Sequence, residues 1–141
     1  MLSPQDDFIG HQLPTTFNHV VTSDDRWTER YWYSGMPIAT GDVILDMGLG
    51  FYANRNVMDA FAGLTVDNVQ HTYRSSRRLG RTPLETAVGA LRYTILEGMK
   101  RHRVTLDGNE SGLTFDLEFL ARFPGTEEGQ SFRRRDGRAE E

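Results

Sequence analysis

A chain of 141 residues, 38% apolar and 26% charged, is long enough to bury one core and too apolar for wholesale disorder. It contains no cysteine, which excludes a disulfide framework and any thiolate metal site. A net charge of −4 argues against a nucleic-acid partner, which needs a basic face.

The opening MLSPQDDFIG has neither the basic start nor the apolar run of a secretory signal. No stretch approaches the ~20 apolar residues of a bilayer span. A cytoplasmic address without a membrane span is therefore expected. Of 16 basic residues only Lys100 is lysine. Arg and Lys differ at anion sites, but the skew is read here as the mark of a GC-rich genome.

Residues 1–25 carry Pro4 and Pro14, several Asp and scattered apolar residues, and are expected to form an extended arm over the body. Trp27 to Tyr33 is the first run of strand length, closed by Gly35, Pro37 and Gly41. Val43 to Phe51 alternates cleanly, with Val43, Leu45, Met47, Leu49 and Phe51 on one face. Gly48 and Gly50 share the other face with Ile44 and Asp46, which implies a bend or a close approach by another segment. Asn54 to Asn56 is a turn.

Val57 to Val66 is the third strand, and Asp67-Asn68 a two-residue hairpin turn, since both tolerate left-handed backbone. Val69 to Ser75 returns with Val69, His71 and Tyr73 on one face, and the Arg-rich stretch to Pro83 reads as an exposed loop. Residues 82–99 are ambiguous. Thr82-Pro83-Leu84-Glu85 has a capping-box pattern, and Leu84, Val88, Leu91, Ile95 and Met99 follow helical spacing. Tyr93, Thr94 and Ile95 favour a strand instead. Local pattern alone gives a helix.

Asp107 to Gly112 is a turn rather than a calcium loop, because the ligand spacing is wrong. Leu113 to Phe123 then alternates more strongly than any other segment, broken only by Leu120. The polar tail, 125–141, is expected to fray.

The motifs Glu29-Arg30-Tyr31-Trp32-Tyr33, Gly50 to Asp59, Val69-Gln70-His71 and Glu97 to Asp107 occur in one order and spacing. In these the chain from Arg26 to Phe123 resembles the N-terminal half of bacterial proteins related to hydroxyneurosporene synthase, the carotenoid 1,2-hydratase group. The resemblance implies an antiparallel lipocalin-like β-barrel over residues 26–124, the first of two in tandem. It also implies a strand over 86–96 with a turn near Gly98, and on that ground the helix is set aside. Family members are longer, so a second barrel or a homodimer partner is expected. No catalytic residue carries over.

The histidines (His11, His19, His71 and His102) lack metal-site spacing, and neither a metal nor a cofactor is expected. Tyr31 and Tyr33, with Glu29, share a face that can line a pocket or form a barrel rim. His71 and Tyr73 can donate to a ligand if their face lines the interior, although a satisfied core histidine is the simpler reading. Asp46 and Asp59 interrupt apolar runs. Turned inward they would be shifted acids, turned outward they merely face water. Arg74, Arg77, Arg78 and Arg81, with Lys100, Arg101 and Arg103, read as a solvated loop and strand edge or as an anion-binding surface.

An all-β barrel binding a small, largely apolar molecule, such as a terpenoid, steroid or lipid, is the first expectation. A hydratase or isomerase acting on an isoprenoid-like substrate is the second, and a non-catalytic interaction domain the third.

Overall fold

The computed structural model describes residues 2–9, 23–39 and 42–127, with the backbone of 133–135 and 138–140. After a 3-10 turn at Pro4–Asp7, eight strands follow in chain order: β1 (Glu29–Gly35), β2 (Val43–Tyr52), β3 (Val57–Val66), β4 (Val69–Arg78), β5 (Ala87–Val88), β6 (Leu91–Glu97), β7 (Arg101–Leu106) and β8 (Phe115–Leu120). Each pairs antiparallel with its neighbour in one of two four-stranded sheets, β1-β2-β3-β4 and β5-β6-β7-β8. The all-β expectation holds among the described residues. The sheets are not closed into a barrel, because no ladder joins β4 to β5 or β8 to β1. Within the expected polar tail, β9 (Arg133–Arg135) pairs with β10 (Arg138–Glu140). Residues 10–22 of the expected arm, with His11 and His19, lie outside the described residues.

Period-2 patterning gives each sheet one apolar face, and the two faces form a single core. Register sets the layers. Tyr33, Met47, Ala62 and Tyr73 form one row across β1 to β4, and Tyr31, Leu49, Ala60 and Ser75 the next. In the second sheet the rows are Leu91, Leu106 and Phe115, then Tyr93, Val104 and Leu117, then Ile95, His102 and Phe119. Met47, Met58, Val88, Leu91 and Val104 have no solvent exposure at all. Each such side chain contributes roughly 1.5–3 kcal/mol by leaving water. Aromatic rings bridge the layers, with the Tyr33 centroid 5.9 Å from Tyr93 and 4.7 Å from Phe119.

Asp67 and Asn68 both take left-handed backbone, as a two-residue turn between β3 and β4 requires. β4 runs past Ser75 to Arg78 because β3 continues opposite it, pairing Val57 with Arg78. At the chain's other strong strand, β8 stops at Leu120, and Phe123 is left 77% exposed.

Residues 82–99 contain no helix. The capping-box pattern is instead a turn, in which Glu85 N–H donates to Thr82 O at 3.2 Å. Gly89 has φ +60°, which ends β5 and starts β6 two residues later. Ladder bonds and burial of Val88, Leu91 and Tyr93 outweigh the helical spacing. Met99, also left-handed, turns the chain into β7, where the resemblance places a turn.

A Cβ at Gly89 would overlap the Tyr73 hydroxyl and the Ser75 side chain. That hydroxyl accepts the Ala90 N–H at 2.8 Å. Gly89→Ala is therefore expected to cost about 2–4 kcal/mol in urea unfolding, combining backbone strain with overpacking. Gly112→Ala, with a similar φ of +72° but nothing within 4 Å, should cost only about 1 kcal/mol. Equal costs at the two sites would refute the close approach.

Candidate functional site

At one end of the core a hydrogen-bonded chain links three distant segments. Tyr33 projects from the inner face of β1, and His102 from the inner face of β7 beside Phe119. The Tyr33 hydroxyl lies 2.7 Å from His102 Nδ1, and His102 Nε2 lies 2.7 Å from Asp7 Oδ2. Asp7 comes from the N-terminal 3-10 turn. Its carboxylate also accepts the Met99 N–H, and its carbonyl accepts the Tyr31 hydroxyl at 2.6 Å. Pro4 packs on Gly98 so closely that a Cβ there would strike the Pro4 backbone, which seats the turn on the β6–β7 connection.

Burial pushes the Tyr33 phenol well above its ordinary range, so it stays a neutral hydroxyl. An imidazole with its proton on Nε2 satisfies both contacts, donating to the Asp7 carboxylate while Nδ1 accepts the Tyr33 hydroxyl. Burial pushes Tyr31 up to about 12 and Tyr93 further, so the surrounding phenols are neutral too. The side chains of His102 and Asp7 are each 18% exposed, which leaves the chain's outer end within reach of solvent. Asp7 Oδ2 takes both the Met99 and the His102 bonds, while Oδ1 carries neither.

Outside this chain lies an open cleft of about 300 Å³. Met99, Phe119, Leu120, Ala121 and Phe123 supply apolar walls, while Asp7, His102 and Lys100 supply the polar end. Lys100 is bound at 2.6 Å to Glu97. Among the described residues no group of three His, Cys, Asp or Glu side chains could hold a metal ion. None of their helices is long and apolar enough to cross a membrane.

The residues singled out in the sequence divide. Tyr31, Tyr33 and Tyr73 turn inward, and the first two meet at the chain. Tyr73 is buried at the β5–β6 turn instead. His71 has the inward parity of Tyr73 but is exposed next to the β3–β4 turn. Asp46 and Asp59 sit on the outer face of the first sheet, in register with Gly63 and Gly50. Asp46 accepts a bond from Ser34 there. Local reasoning missed Asp7 and His102. The sequence signal for His102 was its shared parity with the apolar Val104 and Leu106, and nothing pointed to Asp7.

Fold and site together define a class: two antiparallel meanders around one aromatic core, with an apolar cleft ending on a Tyr–His–Asp chain. Residues 2–140 match the model described as "Family of unknown function (DUF8625)", and the chain belongs to that family. No curated protein and no solved structure matches it.

Proposed function

We propose that this protein binds a small, largely apolar alcohol, of terpenoid or similar character, in the cleft beside His102. The observation that carries the reading is a mainly apolar cleft ending on a hydrogen-bonded acid–imidazole pair. Such a site takes hydrocarbon along its walls and fixes one polar group at its end. A ligand hydroxyl donates to Asp7 Oδ1. A carboxylic acid, ionised at neutral pH, faces the Asp7 charge and is disfavoured. A volume of about 300 Å³ accommodates a molecule of monoterpenoid size. The up-and-down order of eight strands supports the lipocalin-like reading, as a barrel open along two seams.

Geraniol is expected to raise the melting temperature, and laurate to do so less. Phe123→Asp should weaken geraniol binding roughly tenfold without changing the unliganded melting temperature, because Phe123 is 77% exposed. No shift with geraniol, or an unaffected Phe123→Asp variant, would sink the proposal.

A second reading, acid–base chemistry of hydratase or isomerase type, is favoured by the Tyr33–His102–Asp7 chain alone. Both imidazole nitrogens are engaged, so a substrate must displace one partner to use His102. Product formation from geraniol that vanishes in His102→Gln would establish it, and binding without turnover would exclude it for that substrate.

A further inference from the structure

The outer face of the first sheet carries a second, unrelated set of side chains. Register aligns Trp32, Gly48, Phe61 and Arg74 in one row across β1 to β4. Arg30, Gly50, Asp59 and Ser76 form the adjacent row. Trp32 is 62% exposed, and its ring stands edge-on to Phe61 at 5.5 Å. Tyr52 hydrogen-bonds Asp59, and burial followed by the Asp59 charge pushes its phenol upward, so it stays a donor.

The glycines noted in the sequence are what allow this layout. A Cβ on Gly50 would lie 2.6 Å from both Asp59 Oδ1 and the Tyr52 hydroxyl. One on Gly48 would lie 2.8 Å from the Phe61 ring. Any other residue would lift these side chains off the sheet. With glycine they lie down across it and border two adjoining hollows, of about 130 and 390 Å³, which share Asp59 and Phe61.

We propose that this trough is an oligosaccharide site, with one pyranose ring stacked on Trp32 between Arg30 and Asp59 and the next ring lying between Asp59 and Arg74. One sugar face is a patch of C–H groups, which suits the negative face of an indole ring. Its rim is a ring of hydroxyls, each both donor and acceptor. The two guanidiniums supply donors and the Asp59 carboxylate between their strands an acceptor. A purely apolar partner would leave these charged groups desolvated without bonds, at a cost that disfavours it. The site is separate from the cleft and does not depend on what the cleft binds.

The experiment is native electrophoresis through gels containing xylan, glucomannan, hydroxyethylcellulose or laminarin, followed by titration with a matching oligosaccharide. Trp27 packs inward on Phe51, so Trp27→Phe leaves Trp32 as the single tryptophan reporter. Retardation by at least one neutral polysaccharide is expected, with a change in Trp32 fluorescence. Trp32→Ala and Asp59→Ala should each weaken binding roughly tenfold or more while leaving the melting temperature within a few degrees. Absence of retardation in all four gels would overturn the proposal, as would retardation that survives Trp32→Ala. So would sedimentation showing a dimer that Trp32→Ala dissociates, because the face would then be covered by a second copy.

Discussion

Replacing Arg77 with methionine is expected to destabilise the protein by about 3 kcal/mol, far more than an ordinary surface substitution. The guanidinium bonds five backbone carbonyls. Nε reaches Ala87 O at 2.9 Å, Nη1 reaches Arg78 O at 3.0 Å and Leu79 O at 3.2 Å, and Nη2 reaches Thr82 O at 2.9 Å and also Glu85 O. The β4–β5 connection has few bonds of its own, chiefly Thr82 N–H to Leu79 O and Glu85 N–H to Thr82 O, both 3.2 Å. Arg77 therefore does for this loop what a ladder does for a strand. Charge-assisted bonds are worth ~1.5–3 kcal/mol each when buried, but these carbonyls regain water if the loop opens. That discount brings five bonds down to the total given.

The consequence is not confined to the loop. The connection delivers β5, which contributes Val88 to the core and lies at the seam between the sheets. Arg77→Lys should recover less than half the loss, because an ammonium cannot fan out to five acceptors. Urea unfolding measures the loss, and amide exchange over residues 79–90 should accelerate. A change below ~0.5 kcal/mol, the range of an ordinary surface substitution, would show the loop to be held by other means.

How much of this was legible beforehand depends on sequence separation. β2, β3 and the Asp67-Asn68 turn could be read from alternation and turn chemistry, because every determinant lies within a few residues. Residues 82–99 could not. Their helical spacing is real, but Gly89 and the burial of alternate residues decide against it, and burial depends on a sheet formed elsewhere. The site shows the limit more sharply. Asp7 and His102 are 95 positions apart and meet only because the N-terminal turn seats on Gly98. Asp46 and Asp59 were visible as carboxylates within apolar runs. Their shared parity with Gly48 and Gly50, legible for Asp46 from the start, puts them outside.

Alkaline titration should produce the other large effect. Tyr31, Tyr33 and Tyr93 form a mutual cluster with centroid separations of 6.4, 6.1 and 5.9 Å. Burial raises all three, Tyr31 to about 12 and the other two further. In the unfolded chain each phenol ionises near ~10. The folded state thus holds its protons after the unfolded state has released them. The associated stability is complete below pH 10 and is lost as pH rises through the folded values. Two units at Tyr31 alone correspond to roughly 2.7 kcal/mol. With three protons withheld, the slope reaches about 4 kcal/mol per pH unit. A domain of ordinary stability, ~5–15 kcal/mol, unfolds within a few units of pH at that slope.

The tyrosinate absorbance contributed by these three phenols and the loss of β-sheet circular dichroism should therefore rise together, above pH 10, as one cooperative step. Tyr93→Phe removes one of the three protons and should reduce the steepness by about a third, while giving up only a 3.3 Å bond to Phe61 O. Tyr33→Phe should flatten the curve similarly and also free His102 Nδ1, lowering stability at neutral pH where Tyr93→Phe changes little. If the three phenols titrate near 10 with the sheets intact, the cluster is open to water. The cleft beside His102 would then be continuous with it, and the ligand would have room to reach Tyr33 directly.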